Sequence, residues 1–209
     1  MENKIYNGLP IYSIVVDESD LEVNRVSIVG NPAIESNFLA FSNNAKIKTF
    51  LSSDDKRELI GAAIIPDLPI YRNVDGKEFY VTFSKETIKQ IAQNLFKKGY
   101  NQSMNVEHTD TNAGSYIYQS FIVDSSLGLN APSGLELPDG SWVIGVKVED
   151  ESVWNEIKEG RRNGFSVEGL FGLSDVKDTE EEEEIDVTED ELNEFFSNLH
   201  KVYSSIRLN

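Results

Sequence analysis

The chain reads as a strand-dominated α+β protein. Short segments of alternating apolar and polar residues recur along it, broken by Gly, Pro and Asn. Helical spacing appears at few places, and the order runs strands, helix, strands, helix, strand, then a last helix. That order differs from the regular alternation of a parallel βαβ array. With 209 residues, 39% of them apolar and 10% aromatic, the chain can bury one core and carry a terminal appendage.

Residues 1–53 predict short strands and turns, with strands at 11–16, 25–29 and 38–41. Asn31-Pro32 reads as a turn between them, and Ser42-Asn43-Asn44 as a loop. A buried strand is expected over 58–65, ending at Pro66, and an alternating strand over 78–83. The clearest helix is 84–98. Ser84 suits an N-cap, Ile88, Ile91, Ala92, Leu95 and Phe96 share one stripe, and Gly99 stops it. Strands follow at 103–108, 115–123 and 142–149, the last two separated by a Gly- and Pro-containing loop over 128–140. A short helix over 150–159 ends at Gly160 and leads into the strand that carries Ser166.

Past Ser174 the composition changes. Glu180 to Glu184 is an unbroken acidic run, so 176–188 is expected to be a solvated linker. Thr188 and Glu191 have capping-box spacing. Beyond them Leu192, Phe195, Phe196, Leu199, Val202, Tyr203 and Ile206 define an amphipathic helix over 189–209. The expected organisation is a strand-rich leader (1–53), a central domain (54–175), the acidic linker and the C-terminal helix.

The formal net charge of −17 argues against a nucleic-acid partner, because phosphate contacts need clustered Lys and Arg. No apolar run approaches the roughly 18 residues of a membrane span, and no charged-then-apolar leader is visible. A membrane partner is therefore not expected, and a cytosolic setting is, with export of an acidic, cysteine-free chain as the alternative. The absence of cysteine excludes disulfides, thiolate metal sites and a cysteine nucleophile together. No cofactor and no metal is expected.

Two histidines, His108 and His200, are the whole supply of imidazole bases. His108 ends the strand Met104-Asn105-Val106-Glu107 and is followed by Thr109-Asp110-Thr111. Strand alternation puts Val106 and His108 on one face, with Asp110 next on it. A carboxylate there can hold an imidazole in one tautomer. His200 sits beside Leu199 with no acid–base partner implied, and reads as structural. In Asn163-Gly164-Phe165-Ser166-Val167-Glu168-Gly169, Ser166 shares a face with Glu168, opposite Phe165 and Val167. There is no G-x-S-x-G elbow around Ser166. A serine becomes a nucleophile only with a base in reach, and sequence spacing alone leaves that open for His108 and Ser166.

The stretch from about Glu58 to Gly172 resembles the phage prohead maturation proteases of the XkdF-like type. The segments that carry the resemblance are Ile64-Ile65-Pro66-Asp67, Phe83-Ser84 with Ile91-Ala92, and Asn105-Val106-Glu107-His108. Ser141-Trp142-Val143-Ile144-Gly145-Val146-Lys147-Val148 follows, then Val153-Trp154, Ile157-Lys158, Gly160 and the segment from Asn163 to Gly169.

This resemblance implies an assemblin-like fold: a closed or nearly closed β-barrel with flanking helices. It also implies a serine endopeptidase that cleaves scaffold and major capsid proteins, in the host cytoplasm inside the assembling prohead, with the virion and a homo-oligomer as further settings. Ser166 would be the nucleophile and His108 its general base. Backbone N–H groups after Ser166, with Gly169 allowing close approach, would form the oxyanion hole. Arg161 and Arg162 lie near in sequence and read first as solubilising a turn. Family members often carry an acid where this chain has Gln119, which leaves Glu168 and Asp110 as the acidic candidates for a third catalytic member. The rival reading is a virion structural protein that keeps the protease fold without activity.

Overall fold

In the computed structural model the described residues are 4–15, 22–30, 39–41, 56–74, 76–102, 104–170 and 172–175. The chain separates into a unit of Met1–Val176 and a unit of Lys177–Asn209. All described residues belong to the first. The acidic linker, the C-terminal helix and His200 lie outside them.

Strands β1 (Ile5–Tyr6), β2 (Leu9–Val15), β3 (Glu22–Val29) and β4 (Leu39–Phe41) come first, then β5 (Glu58–Ile64), β6 (Ile70–Val74) and β7 (Lys77–Thr82). Helix α1 (Lys85–Lys97), β8 (Met104–Val106), β9 (Ser115–Ile122) and β10 (Trp142–Val148) follow. Helix α2 (Glu151–Lys158), β11 (Gly164–Leu170) and β12 (Gly172–Asp175) complete the described part.

Both helices start where the sequence places a cap. Ser84 is extended, at φ −72° and ψ 158°, and its Oγ accepts the Thr87 N–H. Asp150 does the same for the Val153 N–H of α2. Ile88, Ile91, Ala92 and Leu95 of α1 are buried, whereas Phe96 falls off that stripe and is 39% exposed. β6 was not expected from the sequence. It pairs with β7 through a tight turn in which Val74 faces Lys77 and Gly76 takes φ +80°, and Asp75-Gly76 is a hairpin dipeptide that signals it.

The strands form three sheets: β1-β2-β7-β6 with β12 on β2, β4-β5-β10-β9, and β11-β3-β8. β5 and β10 are central in their sheet, which is why they are apolar and buried along most of their length. Ile14, Ile28, Ile64, Ile91, Trp142, Trp154 and Phe165 belong to one core that draws on all three sheets and both helices. Strands from before residue 53 enter every sheet: β2 pairs with β7, β4 with β5, and β3 with both β8 and β11.

The closed or nearly closed barrel is not what these strands make. A barrel needs one ladder running continuously round its circumference. Among the described residues no ladder joins the three sheets. β8 shows one reason: it is three residues long, and the chain leaves the sheet at Glu107 in a left-handed conformation. The fold is a strand-dominated α+β arrangement of several sheets.

Candidate functional site

The β11-β3-β8 sheet carries a row of polar side chains. Ser166 pairs with Ser27 across the antiparallel ladder, and Ser27 pairs with Asn105 across the parallel one. Cross-strand partners project from the same face, so the three stand side by side. Val26, Ile28, Met104, Val106 and Phe165, adjacent to them in each strand, enter the core on the opposite face.

His108 reaches this row by leaving the strand pattern. Alternation would send it to the face of Val106, away from Ser166. Instead Glu107 and His108 both adopt left-handed φ, 52° and 55°, and the chain folds back over the polar face. Such a conformation costs on the order of 1–3 kcal/mol for each non-glycine residue, so its surroundings must hold it. The Glu107 N–H donates to Ile28 O at 3.2 Å, and the Thr109 N–H to Val106 O at 3.1 Å. The Glu107 carboxylate accepts the Gly30 N–H and an Arg162 guanidinium N–H, each at 2.7 Å.

The imidazole then spans two hydroxyls. Nε2 lies 3.0 Å from Ser166 Oγ, and Nδ1 lies 2.9 Å from Ser27 Oγ. Ser27 Oγ in turn donates to Asn105 Oδ1 at 2.5 Å. Ser27, Asn105 and Ser166 are buried, while His108 is exposed, so the imidazole meets solvent. A hydroxyl in contact with an imidazole nitrogen can pass its proton there and act as a nucleophile.

The other residues singled out in the sequence stand elsewhere. Asp110 is fully exposed, and its carboxylate is 3.6 Å from Arg25. Glu168 faces Arg25 in the β11–β3 register, and its side chain lies outside the described residues. Gly169 pairs with Val23, just past a shift in that register. Gln119 is on β9 opposite Gly145, in a different sheet from Ser166. Arg161 forms an ion pair with Glu159. Arg162 joins Glu107, and its Nε lies 3.0 Å from Glu156 Oε2, an ionic contact without hydrogen-bond alignment. Arg162 thus anchors the turn that carries His108, a role beyond solubility. Among the described residues no group of His, Asp and Glu is arranged to hold a metal ion, and no helix is long and apolar enough to cross a membrane.

Ser27 is the residue the sequence reading missed. Its local signal is a serine alternating with the core residues Val26 and Ile28, a pattern shared by many strand serines. It lies 81 residues from His108, and no local periodicity links the two.

A family model described as "Putative phage serine protease XkdF" matches residues 46–178. No curated protein and no solved structure matches the chain.

Proposed function

The chain belongs to the XkdF family of phage serine proteases, and from that premise we propose that it is a serine endopeptidase with Ser166 as nucleophile and His108 as general base. The observation that carries this reading is the 3.0 Å contact between His108 Nε2 and Ser166 Oγ, made between residues 58 apart in the chain. In the first step Ser166 Oγ attacks the peptide carbonyl carbon while its proton passes to Nε2. The tetrahedral adduct collapses, Nε2 returns the proton to the departing amine, and an ester remains on Ser166. Water, deprotonated by the same nitrogen, then releases the acid and restores the hydroxyl. Backbone N–H groups that follow Ser166 stabilise the oxyanion, with Gly169 giving the substrate chain room.

The substrates in this reading are the scaffold and major capsid proteins of the assembling phage head, cleaved inside the prohead. The test is co-expression of the full chain with the capsid and scaffold genes, read by intact mass. The wild type should yield truncated products, and Ser166→Ala and His108→Ala should each lower their formation by about a thousandfold or more. Identical products from all three would reject the proposal and leave a structural virion protein that retains the fold.

A further inference from the structure

Serine proteases of the triad type use an acceptor at the far nitrogen of the base, usually a carboxylate, to fix the tautomer. Here the group at Nδ1 is the hydroxyl of Ser27. We infer that Ser27, its hydroxyl directed by Asn105, is the positioning residue that keeps the His108 hydrogen on Nδ1 and the lone pair on Nε2, facing Ser166. The inference rests on reading His108 as the base.

The argument is one of counting hydrogens. A serine hydroxyl has one proton and can also accept. Asn105 Oδ1 can only accept, and it takes the Ser27 proton at 2.5 Å. Ser27 Oγ must then accept from its other neighbour, so Nδ1 carries a hydrogen. A neutral imidazole with Nδ1–H has its lone pair on Nε2, the atom 3.0 Å from Ser166 Oγ. Every donor in the chain thus points the same way: Ser166 to His108, His108 to Ser27, Ser27 to Asn105. If Asn105 were turned to present its NH2 group, Ser27 would donate to Nδ1, and Nε2 would hold the hydrogen and be unable to accept one. The orientation of one buried amide therefore decides whether His108 is a base toward Ser166.

Burial gives the arrangement its force. Ser27 is 0% exposed and Asn105 2%, so water does not substitute for a lost partner without cost. The Ser27 hydroxyl carries no net charge, so it orients the base without stabilising an imidazolium as a carboxylate would. During catalysis protons pass only through Nε2, first from Ser166 to the departing amine and then from water back to Ser166, while the hydrogen on Nδ1 stays in place. Ser27 comes from β3, outside residues 46–178 that the family model matches.

The test uses the full chain labelled with 15N-histidine, with a His200→Gln variant to assign the two imidazoles, at about pH 9, well above the ordinary imidazole range. The wild type should show the Nδ1–H tautomer. Ser27→Ala should give a mixture with Nε2–H, and should lower kcat by about 10- to 100-fold with KM little changed. Asn105→Asp, which keeps an acceptor facing Ser27, should retain the wild-type tautomer. An Nε2–H tautomer in the wild type would overturn the inference, as would a Ser27→Ala protein with unaltered tautomer and kcat. The spectrum needs no substrate. A tautomer that depends on Ser27 in a chain that cleaves nothing would therefore uphold this inference while the protease reading falls.

Discussion

The Glu107 carboxylate accepts the backbone N–H of Gly30 at 2.7 Å, joining residues 77 apart in the chain. The same oxygen takes the Arg162 guanidinium, so one side chain ties the end of β3 to the entry of β11. Glu107 also begins the left-handed turn that places His108. Glu107→Ala should therefore lower stability by about 1–2 kcal/mol, the cost of an N–H and a cation losing their acceptor. Catalysis should fall further than stability alone explains, because the His108 turn loses its clamp. Glu107→Gln keeps an acceptor, and since the pair with Arg162 is part-exposed, it should cost under about 1 kcal/mol. Urea denaturation beside turnover separates the two effects, and an unchanged midpoint for the alanine variant would refute the clamp.

Gly30 tolerates no side chain. A Cβ built there would lie 2.7 Å from the Arg161 carbonyl oxygen, a backbone atom that cannot swing aside. Gly30→Ala should cost about 1–3 kcal/mol, as overpacking does elsewhere. The strain falls between β3 and β11, so the Ser166–Ser27 register should be disturbed and the reactivity of Ser166 reduced. A thermal melt and a fluorophosphonate labelling rate measure the two, and a melt like the wild type's would show that the close approach yields freely.

The contrast between Ser166 and Ser27 shows what a sequence makes legible. Ser166 stands out because Phe165 and Val167 alternate around it in a segment with family resemblance. Ser27 has the same local pattern but joins the site only through the β3–β11 and β3–β8 ladders, and long-range pairing leaves no local trace. The same limit explains β1 and β12, short strands that become strands by pairing with β2. His108 was legible as a residue but not as a geometry. Strand alternation sends it to the core face, and two successive positive φ angles at Glu107 and His108 reverse that. Local rules did succeed where structure is local, as at the Ser84 and Asp150 caps and the α1 stripe from Ile88 to Leu95.

Asp124 supplies a pH-dependent element away from the site. Its carboxyl is held below the usual carboxylate range, chiefly by the Ser126 hydroxyl at 2.6 Å and then by the Leu127 and Ser126 N–H groups. A carboxyl with a depressed folded pKa contributes stability above its unfolded pKa and loses it as pH falls through the folded value. Amide protection at Ser126 and Leu127 should thus hold from neutral pH down to about pH 4, the ordinary aspartate range, and decline below it. Asp124→Asn should remove that dependence. Protection that falls between pH 7 and pH 5 in the wild type would contradict the assignment.

Asp110 and Gln119 test whether an acid is needed behind His108. Asp110 is fully exposed and 3.6 Å from Arg25, an ion pair that water and salt screen. Asp110→Asn should leave kcat within about twofold, whereas a carboxylate that fixed the tautomer would cost several powers of ten. Gln119 packs on Gly145 in the β4-β5-β10-β9 sheet, with its Oε1 3.1 Å from where a Gly145 Cβ would stand. A carboxylate at that position would stand in a different sheet from Ser27, whose hydroxyl contacts Nδ1 at 2.9 Å. Gln119→Glu should therefore give no gain in turnover and no change in the His108 tautomer. The result that would count against the Ser27 relay is a rise of tenfold or more in Gln119→Glu, or a collapse of activity in Asp110→Asn with the fold intact. Either would place a carboxylate behind His108 and reduce Ser27 to a bystander.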